Sequence, residues 1–382
     1  MILGFFILFG AYFYCMLLLV MGFKSVRFFS SPDMTGTSKE IKPVTRFSIV
    51  IPFRNEAENL SSLLKTIEAL NYPSELWEVI FVNDVSEDIS EEMILNAIEK
   101  SRFSIKLLQN KRISNSPKKD AISEAIKNSN FEWIVTTDAD CELPKYWLKT
   151  LDAFIQKKNP VMICGPVFYK SNSSFLENFQ QLDGFSLQTV TIGSFGLRNP
   201  LLSNGANLAY SKVAFLKVNG FLGNDHIASG DDIFLLEKMK KAFPKQVKFL
   251  KSKEAIVSTK PQQNWKNVIN QRIRWASKTS KQKNITSLSL GILVLLVNIS
   301  ILALPFFMIF NYKNIGFYIF LISFKIGVDY IFVHQTAFLF DKKNSFWKFL
   351  LQPFAYAVII LAVTLGSLRG NYTWKGRTFQ KQ

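Results

Sequence analysis

The chain has 382 residues, of which 48% are hydrophobic, and its 46 Lys and Arg against 29 Asp and Glu give a formal net charge of +17. This composition is too hydrophobic for a typical soluble domain, and the positive charge favours anionic partners such as lipid head groups and nucleotides. Three widely separated Cys and only two His exclude a disulfide scaffold, a zinc finger and a two-His metalloprotease.

The first 23 residues contain no charged side chain and are long enough to cross a bilayer core of roughly 30 Å as one helix. We therefore predict an N-terminal transmembrane anchor over residues 1–23 and a linker over residues 24–46. Lys24 and Arg27 follow the apolar run, whereas the basic residues of a secretory signal precede it. By the positive-inside rule, the domain after the anchor faces the cytoplasm.

The next part of the chain alternates between β-branched apolar runs and stretches with helical spacing, which predicts an α/β domain with a mostly parallel sheet. Ligands of such sheets bind at the carboxyl ends of the strands. Polar residues follow three of the predicted strands, at residues 54–56, 83–84 and 138–140, so one cleft is expected to collect them. The predicted strands are residues 47–52, 77–82, 103–108 and 133–137, and the predicted helices are residues 55–67, 90–100 and 118–128.

Asp138 and Asp140 follow the fourth predicted strand with one residue between them. Two carboxylates at a strand end can hold a hard divalent cation, which completes its shell with water and diphosphate oxygens. Such an ion would neutralise the charge of a leaving nucleoside diphosphate. An Asp-x-Asp pair is also ordinary in turns, so its position after a buried strand is what favours a metal site.

Asp231 and Asp232 begin a predicted amphipathic helix. One interpretation is structural: Asp231 caps the helix and interacts with its positive end. The other is catalytic: one of the two acids deprotonates an acceptor hydroxyl as a general base. Capping needs only one acid, so the two interpretations are compatible.

Gln271, Arg274 and Trp275 share one face of a predicted helix shortly before a long apolar segment. They offer an amide, a guanidinium suited to phosphate oxygens, and an aromatic plane. A basic aromatic helix beside a membrane is also typical of a simple interfacial anchor.

Three apolar segments follow, at residues 285–312, 315–340 and 349–368. We predict membrane segments over residues 285–368 and a basic tail over residues 369–382. Lys325 and Asp329 lie four residues apart in the second segment and are expected to face each other or a protein interior. Four crossings in total would place the basic tail outside, against the positive-inside rule. We therefore expect the charged segment to be interfacial or re-entrant.

Six motifs, in this order along the chain, resemble those of glycosyltransferase family 2. The similarity is to its membrane-anchored members, such as ceramide glucosyltransferases and, more distantly, cellulose and hyaluronan synthases, and it covers roughly residues 44–280. The motifs are IVIPFRNE (residues 49–56), FVNDVSED (81–88), TDAD (137–140), SNGANLAY (203–210), GDD (230–232) and QRIRW (271–275).

The resemblance implies a GT-A fold, Rossmann-like with a mostly parallel mixed sheet, in a cytoplasmic catalytic domain over residues 47–284 that ends in interfacial helices. It implies an inverting transfer from a nucleotide sugar, with Asp232 as the base and with Mg or Mn held by Asp140 and Asp138. The implied nucleotide-sugar ligands are Pro52, Arg54, Glu56, Asp84, Lys118, Lys119, Asp138, Gln271 and Arg274. The implied acceptor ligands are Asn204, Gly205, Asp231 and Trp275.

Three positions depart from the family pattern. Asn83 stands where the family often has the first of two Asp, Val85 replaces a usual Gly, and Asp231 replaces a common Glu. We therefore expect a different turn after the second strand and a different orientation of the base.

The expected activity is transfer of one sugar, by preference from a UDP-sugar, to a lipid at the cytoplasmic face of the inner membrane. The candidate acceptors are a sphingolipid, a diacylglycerol, a glycosylated carotenoid precursor and a polyprenyl phosphate.

A processive polysaccharide synthase is one alternative, because it shares the Gln-x-x-Arg-Trp motif. Such an enzyme needs a membrane channel, and three C-terminal segments are few for that purpose. Nucleotidyl transfer and a non-enzymatic membrane-surface protein are further alternatives. Nucleic acid is not an expected partner, because no nucleic-acid-binding motif accompanies the basic residues, and the oligomeric state is left open.

Overall fold

The structure is a computed structural model that describes residues 2–30, 42–171, 174–225, 227, 229–279, 284–342, 349–368, 371–374 and 377–380. Part of the predicted linker and parts of the basic tail lie outside these residues. The described chain groups into two compact units. The first comprises residues 1–26, 171–201 and 261–382, and the second comprises residues 27–170 and 202–260.

The second unit holds the α/β fold. Its strands are β1 (Phe47–Phe53), β2 (Trp77–Asn83), β3 (Ser104–Gln109), β4 (Trp133–Thr136), β5 (Cys141–Glu142), β6 (Met162–Cys164), β7 (Val167–Tyr169), β8 (Leu208–Ser211), β9 (Val247–Phe249) and β10 (Val257–Thr259). Its helices are α2 (Ala57–Glu68), α3 (Ser90–Lys100), α4 (Pro117–Lys127), α5 (Trp147–Lys158), α7 (Lys212–Lys217) and α8 (Asp231–Ala242).

The first unit is mainly helical. Its helices are α1 (Ile2–Ser25), α6 (Phe175–Gly196), α9 (Trp265–Thr279), α10 (Ile285–Phe310), α11 (Ile315–Leu339) and α12 (Gln352–Leu368), and its strands are β11 (Asn371–Trp374) and β12 (Arg377–Gln380). The predicted catalytic domain over residues 47–284 is therefore divided, because α6 and α9 group with the hydrophobic helices rather than with the sheet.

A seven-stranded sheet in the order β3-β2-β1-β4-β8-β6-β9 forms the centre of the second unit. Strands β1 to β4 pair in parallel, and β8 runs antiparallel to both of its neighbours. A smaller sheet has the order β5-β10-β7. The predicted α/β class with a mostly parallel sheet is confirmed.

The β-branched composition of the first strands explains their central position. Ile49, Val50 and Ile51 of β1 are fully buried, as expected of a strand covered by helices on both faces. The helical spacing predicted for α2 is also confirmed, because Leu60, Leu63 and Ile67 pack into the same core. Since β1, β2 and β4 are parallel neighbours, the loops that follow them emerge at one edge of the sheet.

Lys251 follows β9, and the effect of its partial burial on stability can be tested by changing the pH. Burial lowers the pKa of Lys251 from 10.5 to about 8. The unfolded chain therefore binds a proton more tightly than the folded chain, so the contribution of Lys251 to stability improves as the pH rises through about 8. We expect Lys251→Met to melt at a higher temperature than the wild type at pH 7, with a smaller difference at pH 10. A pH-independent difference between the two melting curves would contradict this expectation.

Three helices in the described part of the chain are long and apolar enough to cross a membrane: Ile2–Ser25, Ile285–Phe310 and Tyr312–Leu339. The last apolar helix, Gln352–Leu368, is shorter. The apolar segments predicted at both ends of the chain are thus helices. The charged segment, which was expected to be interfacial or re-entrant, is a helix long enough to cross a membrane. The short helix among the C-terminal apolar segments is instead α12, with 17 residues.

Polar side chains in this helical unit form a buried cluster, which explains how charges are tolerated there. Lys325 Nζ lies 2.5 Å from Asp329 Oδ2 and donates to Asn298 Oδ1 at 3.2 Å. The Tyr12 hydroxyl donates to Asp329 Oδ1 at 2.5 Å. The prediction that Lys325 and Asp329 face each other is confirmed, and helices α1, α10 and α11 each contribute to the cluster.

Candidate active site

Asp84 lies at the end of β2 and is held in place by two side chains that follow β3. Its Oδ1 accepts hydrogen bonds from Asn110 Nδ2 and Arg112 Nε, both at 2.8 Å. Asp84 is buried, with 5% of its surface exposed, so this charge is neutralised within the protein by Arg112. Arg112 was not predicted from the sequence. Its position just after the third strand could have indicated that it lies at the same edge of the sheet as Asp84.

Arg54 joins the loop after β1 to the loop after β2. Its guanidinium donates to the carbonyl of Asp84 at 2.9 Å, to the carbonyl of Val85, and to the Glu87 carboxylate at 2.8 Å. The side chain is nearly buried, with 10% exposed. Arg54 therefore shapes the Asp84 loop, and the nucleotide contact implied for it stays a prediction.

Two residues with left-handed backbone conformations lie in these loops, Asn55 with φ 50° and Val85 with φ 59°. The Asn55 side chain accepts from Glu87 N at 2.8 Å, and its backbone N–H donates to Ser86 Oγ at 3.1 Å. Asn tolerates this conformation, whereas a β-branched residue is strained by it. Val85 thus adopts a left-handed conformation that favours glycine, and the expected difference in the turn after the second strand stays a prediction.

Glu56 and Pro52 lie further inside the same region. Glu56 is buried, its carboxylate accepts from Asn59 Nδ2 at 2.7 Å, and its N–H donates to Ser90 Oγ at 2.9 Å. Pro52 is half-buried within β1, opposite Val82 of β2. These contacts order the starts of α2 and α3, and the nucleotide roles implied for both residues remain predictions.

Lys118 connects the carboxylates that follow β4 with those that begin α8. Its Nζ lies 2.6 Å from Asp138 Oδ1 and 3.4 Å from Asp231 Oδ2. Burial alone would lower the pKa of Lys118, but the charges of Asp138, Asp231 and Asp232 outweigh it and raise the pKa. The side chain is therefore a permanent cation at the centre of three acids.

Asp138 and Asp140 are both half-buried, so solvent reaches them at the sheet edge. Among the described residues, no three His, Cys, Asp or Glu side chains are grouped as ligands of one ion. Two accessible carboxylates nevertheless fit Mg or Mn, if diphosphate oxygens and water supply the other ligands. Burial and the charges of Asp140 and Asp138 raise the pKa of the neighbouring Cys141 thiol.

Asp232 lies in the first turn of α8 and contacts the backbone of Gly205. Gly205 N donates to Asp232 Oδ2 at 3.3 Å, and Ile233 N donates to Asp232 Oδ1 at 2.8 Å. The helix is preceded by Gly230, which has a left-handed φ of 88° and occupies the cap position. Asp231 is therefore the first helical residue rather than the cap. It still lies at the positive end of the helix, where a carboxylate is stabilised.

Gly205 has no room for a side chain. A Cβ at this position would lie 2.8 Å from Asp231 Oδ2 and 3.3 Å from Lys118 Nζ. Asn204, the preceding residue, accepts from Ala206 N at 3.0 Å and so fixes the turn that presents Gly205. A side chain at position 205 would therefore require the ends of the Asp231 and Lys118 side chains to shift.

We expect Gly205→Ala to lower the catalytic rate by at least about tenfold, because the methyl group must displace the Asp231 carboxylate and its Lys118 partner. The melting temperature should change little, since the displaced atoms are the ends of two flexible side chains. Turnover and thermal melting of the purified variant check this. Gly291→Ala in α10 is the control, because nothing lies within 4 Å of the added Cβ there. A Gly205→Ala protein with the wild-type rate would contradict the steric argument.

Lys119 differs from its neighbour in what it contacts. Its side chain is buried, with 1% exposed, and its Nζ donates to the carbonyls of Asn224 and Ile227 at 2.6 and 2.8 Å. The ammonium also lies 5.1 Å from the ring centroid of Phe234. The nucleotide contact implied for Lys119 is therefore not reflected in its surroundings.

Gln271, Arg274 and Trp275 lie on α9, in the first unit. Sequence reasoning missed Arg272 between them. The Arg272 guanidinium lies 4.1 Å from the centroid of the Trp275 ring and forms an ion pair with Asp183 of α6, and both charged residues are buried. Arg272 thus fixes the plane of Trp275. The sequence does not predict this role of Arg272, because its partner Asp183 is 89 positions away along the chain.

Comparison with known proteins gives two matching families. The model for Glycosyl transferase family 2 matches residues 48–217, and the model for Glycosyl transferase family group 2 matches residues 133–368. The second match extends from β4 through α12, so it includes the C-terminal hydrophobic helices α10, α11 and α12. The described sheet and the C-terminal helices are thus both part of a recognised family pattern.

Individual relatives are more distant. A poly-beta-1,6-N-acetyl-D-glucosamine synthase of Staphylococcus epidermidis is 25% identical over 243 residues, which are 62% of this chain and 55% of that protein. An undecaprenyl-phosphate 4-deoxy-4-formamido-L-arabinose transferase of Salmonella choleraesuis is 32% identical over 104 residues, which are 27% of this chain and 31% of that protein. The match therefore spans only part of either relative's length.

A solved structure shares the fold. The mannosyltransferase PcManGT from Pyrobaculum calidifontis, in complex with GDP-Man and Mn2+, has a TM-score of 0.58 at 15% identity. The similarity covers 96% of this chain and 99% of that one. The GT-A architecture predicted from the motifs is thereby confirmed.

Proposed function

We propose that this chain, which belongs to glycosyl transferase family 2, moves a single sugar from a nucleoside-diphosphate sugar, by preference a UDP-sugar, to a membrane lipid with inversion at the anomeric carbon. The observation that carries the proposal is the arrangement of Asp138, Lys118, Asp231 and Asp232 at one edge of the sheet. It brings the Lys118 ammonium, which can stabilise a leaving diphosphate, and Asp138, which can help to hold a divalent cation, beside the Asp232 carboxylate, which can accept a proton.

The roles follow from the contacts. Asp232 accepts the proton of the acceptor hydroxyl as that oxygen attacks the anomeric carbon, and the bond to the diphosphate oxygen breaks. Lys118 moves from Asp138 toward the diphosphate and helps to stabilise its charge, the kind of electrostatic effect that dominates such sites. When bound at Asp138 and Asp140, Mg or Mn would supply further neutralisation of that charge. Asp84, fixed by Arg112, binds the nucleoside portion.

A lipid acceptor is supported by the three long apolar helices and by a relative whose name specifies undecaprenyl phosphate. With three crossings and a short α12 on the membrane surface, an outside N-terminus leaves the basic tail on the cytoplasmic side, as the positive-inside rule favours. We therefore propose that the sheet domain lies at the cytoplasmic face of the inner membrane. The diphosphate roles implied for Gln271 and Arg274, and the acceptor role implied for Trp275, remain predictions of the family resemblance.

Polysaccharide synthesis is the second candidate, because a poly-beta-1,6-N-acetyl-D-glucosamine synthase is among the relatives. The two candidates differ in the length of the product. Mass spectrometry of the lipid fraction after reaction would show one added sugar in the first case and a ladder of sugars in the second.

The central experiment measures nucleoside diphosphate release by the detergent-purified protein with a panel of UDP- and GDP-sugars, membrane lipid extract, and either Mg, Mn or chelator. Release that requires both lipid and metal supports the proposal and identifies the donor. Asp140→Ala should weaken metal-dependent donor binding. Incorporation of the nucleotide itself, rather than release of the diphosphate, would overturn the proposal in favour of nucleotidyl transfer.

A further inference from the structure

The segment between α7 and the base helix α8 is held by lysine side chains as well as by its own backbone hydrogen bonds. Residues 218–230 contain no strand or α-helix among their described positions, and they include three glycines with left-handed backbone conformations, Gly220, Gly223 and Gly230. Glycines in such conformations leave the chain with large conformational freedom. Yet this segment leads directly into Asp231 and Asp232, whose positions must be fixed for proton transfer.

Two lysine side chains hold the carbonyl groups of this segment. Lys238 Nζ, from α8 itself, donates to the carbonyls of Gly220 and Leu222, both at 2.7 Å. Lys119 Nζ, from α4, donates to the carbonyls of Asn224 and Ile227. The segment is thus anchored at its start by Lys238 of α8 and nearer its end by Lys119 of α4.

The Lys119 ammonium is buried and faces groups of the protein. Two hydrogen-bond directions are taken by the carbonyls, and the Phe234 ring of α8 lies 5.1 Å away, within the range of a cation–π contact. A lysine that is 99% buried would have to leave this site to reach a nucleotide phosphate. Lys118, one residue earlier and 21% exposed, already contacts the acids of the site.

We propose that Lys119 is a positioning residue that fixes the chain at Asn224 and Ile227 and the first turns of α8, and thereby the Asp232 carboxylate, rather than a ligand of the nucleotide. The two adjacent lysines then divide the work. Lys118 holds Asp231 and Asp138, while Lys119 holds the segment that precedes Asp231 and the Phe234 ring that follows it. This inference rests on the proposed function, because Asp232 is the proposed base.

The test uses the full-length protein with the variants Lys119→Met, Lys119→Arg, Lys118→Met and Lys238→Met. Hydrogen exchange of residues 220–234 reports directly on the support and needs no substrate. Faster exchange in Lys119→Met is expected along this segment, and Lys119→Arg, which can still donate to two carbonyls, should restore much of the protection. Unchanged exchange in Lys119→Met would overturn the proposal.

Measurements of kcat and of nucleotide affinity distinguish a positioning role of Lys119 from a role as a nucleotide ligand. We expect Lys119→Met to lower kcat about 100-fold, as a displacement of about 1 Å in the base would, with binding of UDP or GDP in the presence of Mn unchanged. Lys118→Met should weaken that binding. Lys238→Met removes an equivalent pair of carbonyl contacts further from Asp232, so it should loosen residues 220–222 and leave kcat close to the wild-type value.

The outcomes distinguish the two proposals. Wild-type protein that releases no nucleoside diphosphate with any donor contradicts the proposed function, while the exchange measurement still decides the role of Lys119. An active wild type whose Lys119→Met variant loses nucleotide affinity as Lys118→Met does would show that Lys119 is a ligand. Equal losses of kcat in Lys119→Met and Lys238→Met, following their melting temperatures, would indicate a general structural role instead.

Discussion

Asp232→Asn is expected to lower the rate of sugar transfer by about 10²- to 10⁴-fold, the range that general-base catalysis contributes, while the donor still binds. The amide has nearly the shape of the carboxylate but cannot take a proton from the acceptor. Its single oxygen can keep the 2.8 Å hydrogen bond from Ile233 N, so α8 should begin as in the wild type. Nucleoside diphosphate release measures the first effect, and calorimetric titration with the donor measures the second.

Asp231→Asn is the matched control for this variant. Asp231 precedes Asp232 at the start of the same helix, and its Oδ2 lies 3.4 Å from Lys118 Nζ, whereas Asp232 accepts from Gly205 N. Its replacement should loosen Lys118 and alter donor affinity more than the chemical step. Full transfer activity in Asp232→Asn would eliminate Asp232 as the base, and a comparable loss of rate in Asp231→Asn alone would move that role to Asp231.

The parts of the fold and site that the sequence predicts are those set by local patterns. The runs of β-branched residues identify β1 and β2 because burial on both faces requires apolar side chains at successive positions. Asp84, Asp138 and Asp232 are visible because they come at the end of a strand or the start of a helix. Lys325 and Asp329 are predictable as a pair because four residues bring side chains to one helix face.

The remaining features depend on contacts between distant parts of the chain. Lys118 and Lys119 are identical residues side by side, yet one contacts acids and the other contacts carbonyls, because successive side chains on a helix point in different directions. The roles of Arg112 and Arg272 depend on ion pairs with Asp84 and Asp183, which are distant in the sequence. The division that groups α6 and α9 with the apolar helices follows from packing in three dimensions, which periodicity along the chain does not specify.

Asp329→Leu is expected to destabilise the helical unit by about 3 to 5 kcal/mol, the usual cost of removing one partner from a buried ion pair. Lys325 is 1% exposed, so without Asp329 its charge would be buried and would keep, among the described partners, the Asn298 amide oxygen. The Tyr12 hydroxyl would also lose its acceptor, which weakens a contact between α1 and α11. Thermal melting in detergent, with the fraction of folded monomer measured after purification, would show this loss.

The double variant Lys325→Leu with Asp329→Leu separates the cost of an unpaired charge from the value of the pair itself. Replacing a buried ion pair by apolar residues is often neutral or stabilising, because no desolvated charge remains. We therefore expect the double variant to recover most of the stability that Asp329→Leu loses. Lys313→Leu, at an exposed position between α10 and α11, should change stability by less than about 0.5 kcal/mol. A double variant as unstable as Asp329→Leu would mean that the Tyr12 and Asn298 hydrogen bonds, rather than charge compensation, hold these helices together.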